Sequence, residues 1–105
     1  MRVLKLDHDP HCPRLSLLEM VKRARRANLR LVALGERRSP SGRGWHRWVI
    51  VRPAPRTAVA VVSLQLLFGS DPLREAYCYN RAVRVDAKQV SRYFRDNFDV
   101  LYRRP

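Results

Sequence analysis

The chain of 105 residues has no apolar run of the ~18 residues that a membrane-spanning helix needs, so no membrane partner is expected. Its start, Met1 to Pro10, is charged within the first few residues, and no signal peptide is expected. Cysteine is scarce: Cys12 and Cys78 stand far apart and make no disulfide framework. His8, His11 and Cys12 lie close together, but the second ligand pair of a structural zinc site is missing. A cytoplasmic protein with both thiols reduced is therefore expected. Acids are few as well, nine Asp and Glu against 22 Lys and Arg, which leaves a formal net charge of +13. Lysine is almost absent from that surplus, with only Lys5, Lys22 and Lys88. No internal repeat and no low-complexity segment interrupts residues 1–105, so one domain with one modest core is expected.

What is present is arginine. Its guanidinium favours bidentate contacts to phosphate and stacks on bases, so a small domain this basic points to nucleic acid, DNA or RNA. An arginine-favouring genome composition would give the same charge without that function.

The apolar pattern divides the chain into short elements. Arg2 to Asp9 alternates as a strand, with Val3, Lys5, Asp7 and Asp9 on one side and Leu4 and Leu6 on the other. Ser16-Leu17-Leu18-Glu19 is a capping box opening a helix from about Leu17 to Ala27, with Asn28 at its end. Leu17, Leu18, Val21 and Ala24 would face the core, and Lys22, Arg23, Arg25 and Arg26 would form either a solvated or a phosphate-binding face. A second strand runs from Leu29 to Glu36, with Leu29, Leu31 and Ala33 on one side and Val32 and Leu34 on the other. A third runs from Trp45 to Val51, with His46, Trp48 and Ile50 on one face and Trp45, Arg47, Val49 and Val51 on the other. Thr57 caps a buried apolar helix over Ala58 to Phe68, and Asp71-Pro72 starts another that reaches about Asn80 or Arg81. Ala82 to Val85 is expected as a short strand. Asp86 would cap a last helix over Ala87 to Asn97, with Val90, Tyr93 and Phe94 inward, and Phe98 to Tyr102 would add an edge strand. The order implies an α+β fold, one sheet backed by helices.

Two stretches carry candidate chemistry. Asp7 and Asp9 are two apart at the end of a strand, so their carboxylates project from one face and need neutralising by solvent, an arginine, or Mg²⁺ or Mn²⁺. Ser39 to His46 joins the second and third strands. There Gly42 and Gly44 allow backbone N–H groups to approach an anion, Ser41 adds a hydroxyl and Arg43 a cation. A plain hairpin turn is the alternative.

The order of these parts, an Asp-x-Asp ending strand one, a helix, a strand, then Ser41-Gly42-Arg43-Gly44-Trp45-His46, resembles the catalytic palm of the archaeo-eukaryotic primase superfamily. Leu4-Lys5-Leu6-Asp7-His8-Asp9-Pro10 looks like its first motif, although Lys5 stands where an apolar residue is usual. Asp71 is the candidate for the third acid, with helix capping as its other role, and 105 residues is short for a full primase. The resemblance implies an RRM-like, primase-palm-like sheet. It also implies nucleotidyl transfer, with Mg²⁺ or Mn²⁺ held by Asp7, Asp9 and Asp71. A nucleoside triphosphate would be held by Ser41, Gly42, Arg43, Gly44 and His46, and Arg23, Arg25, Arg26 and Arg47 would lie along bound nucleic acid. Two other functions fit the same sequence. One is a non-enzymatic basic DNA- or RNA-binding domain, a degenerate palm or an RRM-like sheet, in which Trp45 or Trp48 stacks on bases. The other is a basic structural or partner-binding subunit that supports a larger replication complex, such as that of a mobile element.

Overall fold

The computed structural model describes residues 1–88. Their elements are β1 (Arg2–His8), α1 (Leu17–Arg26), β2 (Arg30–Arg38), β3 (Trp45–Arg52), α2 (Ala58–Leu67) and α3 (Pro72–Lys88). The fold is α+β. The three strands form one sheet in the order β1-β3-β2, and both outer strands run antiparallel to β3. β1 and β2 therefore run in the same direction with α1 between them in the chain, a split β-α-β arrangement. Among the described residues no helix is long and apolar enough to cross a membrane.

Alternation sorts the sheet into two faces. Leu4, Leu6, Val49 and Val51 are buried on the helix side, where Met20, Ala24, Val61, Val62 and Phe68 complete the core. The opposite face carries the cross-strand rows Val3–Ile50–Ala33, Lys5–Trp48–Gly35 and Asp7–His46–Arg37. The grouping of β3 follows its alternation. That of β2 does not, because a bulge between Leu31 and Ala33 shifts the register. One extra residue in a strand reverses the facing of all that follow. Leu31 and Leu34 consequently both pack on the core, and Ala33 turns to the open face.

α1 is capped as its sequence predicts: the Ser16 hydroxyl accepts from the Glu19 N–H at 3.2 Å. It ends in a Schellman motif, with Leu29 N–H on the Ala24 carbonyl, Asn28 N–H on the Arg25 carbonyl, and Asn28 at φ 58°. Its buried stripe is Met20 and Ala24, whereas Leu17 and Leu18 are more than half exposed. Side chains on a helix lean toward its N-terminus, so the first-turn leucines project past the sheet rather than onto it.

α2 is apolar on nearly every side and packs against both β1 and α3. Thr57 caps it, and Gly69 at φ 88° closes it in a second Schellman motif. α3 runs unbroken to Lys88, so Ala82 to Val85 is helical and not a strand. The reason lies in its contacts: Ala82 is buried in the core, and Asp86 has a task within α3. The Asp86 carboxylate accepts the N–H groups of Ala58 at 2.8 Å and Val59 at 3.0 Å, capping α2 from a neighbouring helix. Ala87 and Lys88 end α3; the rest of the expected last helix and the strand Phe98 to Tyr102 lie outside the described residues.

The outer edge of β1 has no strand beside it among the described residues, yet the backbone groups of Lys5 and Asp7 on that edge are satisfied. Lys5 N–H donates to Gln65 Oε1 at 3.0 Å, and the Lys5 carbonyl accepts from Arg74 at 2.9 Å. Asp7 N–H donates to Ser70 Oγ at 2.9 Å, and the Asp7 carbonyl accepts the Asp71 N–H at 2.7 Å. Buried Glu75 holds this edge cover together, accepting from the Gln65 amide at 2.7 Å and from the Arg74 guanidinium. Removing one partner of a buried ion pair leaves the other charge uncompensated. Glu75→Ala is expected to cost roughly 3–5 kcal/mol of unfolding free energy, measured by urea titration. A loss within experimental error would show that the edge does not depend on Glu75.

Candidate functional site

The ends of β1 and β3 and the loop between β2 and β3 enclose an open cleft of about 500 Å³, lined by Asp7, His8, Asp9, Ser39, Ser41, Arg43, Gly44 and His46, among others. Most residues singled out by the two sequence motifs therefore meet at one place. Gly44 is required there by close approach: a Cβ on it would lie 2.2 Å from the His8 carbonyl oxygen. Only glycine lets the loop close against the end of β1.

The loop does not present its amides to a ligand. Gly42 N–H donates to the Ser39 carbonyl at 2.9 Å and Gly44 N–H to the Ser39 hydroxyl at 3.2 Å. The Ser41 hydroxyl pairs with that of Ser39 at 3.0 Å and faces the Arg43 N–H at 3.4 Å. The amide cradle expected at Gly42 and Gly44 is closed by these internal bonds, because Ser39 satisfies the turn from within. Arg43 is exposed at the rim.

Asp7 and His46 form a pair across β1 and β3. His46 Nε2 lies 3.4 Å from Asp7 Oδ1, and the imidazole is buried with its ring edge-on to Trp48, centroids 6.4 Å apart. Burial pushes the Asp7 carboxyl above its ordinary range; His46 and Arg74 work against this, Asp71 and Asp9 with it. The other two acids of the resemblance, Asp9 and Asp71, thus lie close enough to act on Asp7. Each carboxylate nevertheless has its own local engagement. Asp9 Oδ1 accepts the His11 N–H at 2.8 Å, and Asp71 Oδ1 caps α3 through the Leu73 N–H at 3.1 Å. Among the described residues no three His, Cys, Asp or Glu side chains are placed to hold a metal ion together. The Mg²⁺ or Mn²⁺ that the resemblance implies has no ready ligand set in this arrangement of carboxylates.

The arginines divide by burial. Arg47 is 6% exposed, held by Glu36 at 2.9 Å, the Leu15 carbonyl at 2.8 Å and Met20 Sδ at 3.1 Å. It lies on the helix side of β3 and is not part of a surface that nucleic acid can touch. Arg23 bonds Glu19 at 3.0 Å and the Leu67 carbonyl at 2.7 Å, tying α1 to the end of α2. Arg25 and Arg26 are exposed.

Three features escaped the sequence motifs. Cys12 donates its thiol to the Gly69 carbonyl at 3.0 Å, and burial, with Asp71, Asp9 and Asp7 nearby, pushes its ionisation up. Trp45 stacks with Arg14 at 3.9 Å and Arg38 at 4.7 Å. Trp48 lies on the open face with the Arg37 guanidinium 5.4 Å from its ring centroid. The β3 alternation placed Trp48 beside His46, and that was the available signal; the arginine partners depend on register. No family model, no curated protein and no solved structure matches the chain.

His8 is buried on the helix side, and among the described residues neither ring nitrogen has a hydrogen-bond partner. Burial, aided by the Arg47 guanidinium, lowers its pKa to about 4. The unfolded imidazole takes a proton below its ordinary 6.5, whereas the folded one resists until about 4. Stability is therefore whole above pH 6.5 and falls as the pH drops towards 4, by roughly 3 kcal/mol in all. The raised Asp7 carboxyl acts in the opposite sense, at the acid end of that range. His8→Leu is expected to remove most of this decline while keeping or raising stability at pH 7, read from urea titrations across the range. An unchanged decline would assign it to other groups.

Proposed function

We propose that this protein is a basic, non-enzymatic nucleic-acid-binding domain with an RRM-like sheet. The observation that supports it best is where the uncompensated cations lie. α1 packs against β2, and these adjoining elements expose Lys22, Arg25 and Arg26 on one and Arg30, Arg37 and Arg38 on the other. Arg43 continues the series on the loop that follows β2. The two acids of these elements, Glu19 and Glu36, are already paired, with Arg23 and with Arg14 and Arg47. A polyanion following the β2 edge of the sheet, with α1 on one face and Arg37 on the other, meets cations without having to displace a carboxylate, and each neutralised phosphate releases counterions.

Binding to DNA or RNA should weaken steeply with salt, log affinity falling by about 0.7 to 0.9 per decade of salt for each phosphate contacted. The double variant Arg25→Glu/Arg26→Glu should bind all sequences more weakly and with a shallower salt slope, since it leaves the tie made by Arg23 intact. Filter binding or anisotropy over a salt series measures both. A double variant indistinguishable from the wild type would move the surface elsewhere, and a wild type that binds nothing would end this reading.

A second reading, a primase-like nucleotidyltransferase, is favoured by the meeting of Asp7, Asp9 and His46 around one cleft, with Asp71 near enough to act on Asp7. It would draw on the Oδ2 atoms of Asp9 and Asp71, since their Oδ1 atoms already accept backbone N–H groups. Its test is nucleotide incorporation on primed and unprimed templates with Mg²⁺ or Mn²⁺. Activity in the wild type, abolished by Asp7→Asn with nucleic-acid binding intact, would establish it over the first reading; no incorporation by folded protein would leave the binding domain.

A further inference from the structure

Gly35 stands in the middle of β2, where a glycine weakens a strand and packs nothing. Two common reasons for a glycine do not apply. It is not among the positive-φ residues, and a Cβ placed on it would meet nothing within 4 Å. Neither backbone geometry nor packing within the described residues asks for glycine there. What the missing side chain creates is a bare stretch of strand, and across the register from Gly35 stands Trp48.

Trp48 is half-buried and its ring is held from two sides. His46 meets it edge-on at an interplanar angle of 86°, and His46 is itself paired with Asp7. Arg37, two residues along β2 on the same face as Gly35, places its exposed guanidinium 5.4 Å from the ring centroid. A ring so restrained loses little freedom when a flat partner lies beside it. A strand without a side chain next to such a ring leaves room for a planar group, and Arg37 supplies a cation for a phosphate attached to it.

We infer that the open sheet face binds single-stranded nucleic acid, with one unpaired base stacked on Trp48 over the backbone of Gly35. The inference rests on the nucleic-acid reading above and deepens it. A duplex keeps its bases stacked on one another and offers no free base face, so the site discriminates by strandedness. Stacking on an aromatic side chain is tolerant of sequence, because every base has a flat face.

The test compares a short oligothymidylate with a duplex of equal length, by anisotropy at fixed salt, using the full-length protein. The wild type binds the single strand more tightly. Trp48→Ala and Gly35→Val each weaken single-strand binding roughly 5- to 150-fold and leave duplex binding unchanged, and Trp48→Phe keeps most of it. Gly35→Ala and Gly35→Val melt at or above the wild-type temperature, since the added carbons enter open space in a strand. Single-strand binding by Gly35→Val equal to wild type would overturn the inference. So would equal losses on both ligands, which would reduce Trp48 to a structural role. A lower melting temperature for Gly35→Ala would mean that the face is covered within the protein, and would overturn it too. A wild type that binds neither ligand removes the parent reading as well; binding that is insensitive to these variants removes the stacking site alone.

Discussion

The structure depends on closing the outer edge of β1. A three-stranded sheet has two edges, and an unpaired row of backbone groups is either solvated, covered or a hazard. β2 keeps its edge in water and bristles with arginine. β1 is instead sealed by Gln65, Ser70, Asp71 and Arg74, all supplied by α2, α3 and the turn between them. This cover is polar and buried, so it holds only while Glu75 is matched by the Gln65 amide and the Arg74 guanidinium. The same bonds fix Asp7 from both sides of its peptide. Its carboxylate consequently meets His46 across the sheet, and through His46 the ring of Trp48 is set. A helix-packing interaction on one edge thereby determines the geometry of the opposite face.

Carboxylates in this protein act mainly as structural parts. Glu19, Glu36 and Glu75 answer arginines, while Asp9, Asp71 and Asp86 satisfy backbone N–H groups. Among the described residues, pairing with arginine offsets the charge of Glu19, Glu36 and Glu75. The basic character of the accessible face follows from where the acids are engaged as much as from the number of arginines. Asp7 is the exception, half-covered beside a buried histidine with its ionisation pushed up.

Features set by local chemistry were legible in the sequence. The alternation of β1 and β3, the Ser16 and Thr57 caps, the Asn28 terminus and the Asp71-Pro72 start all follow from neighbours within a few residues. The meeting of Asp7, Asp9 and His46 followed only from the resemblance, because which strand ends come together depends on a register that local sequence does not show. What failed depended on distant partners. The bulge in β2 reversed Ala33, and no residue there announces it. Asp86 reads as a local cap until α2 is seen to need one. Arg47 reads as a surface cation because nothing in its own strand shows that Leu15, Met20 and Glu36 will surround it. The glycine loop reads as an anion cradle until the Ser39 hydroxyl is found inside it.

The electrostatics of the cleft and of the sheet face differ, and the difference bears on the path a strand would take. Asp7 and Asp9 both line the cleft and Asp71 lies near enough to act on Asp7, so this end of the sheet is acidic, with Arg43 only at the cleft rim. A phosphate entering it would meet carboxylates in a partly buried setting, where repulsion is weakly screened. Trp48 and Arg37 offer the reverse, a flat apolar ring beside an exposed cation. Under the proposed reading, a single strand would gain by crossing the sheet at Trp48 and passing the rim at Arg43, and would lose by descending to Asp7. Only a cation placed among the three acids would invert that preference. The choice between a surface that holds a strand and a cleft that works on its end therefore turns on whether a cation binds among these carboxylates.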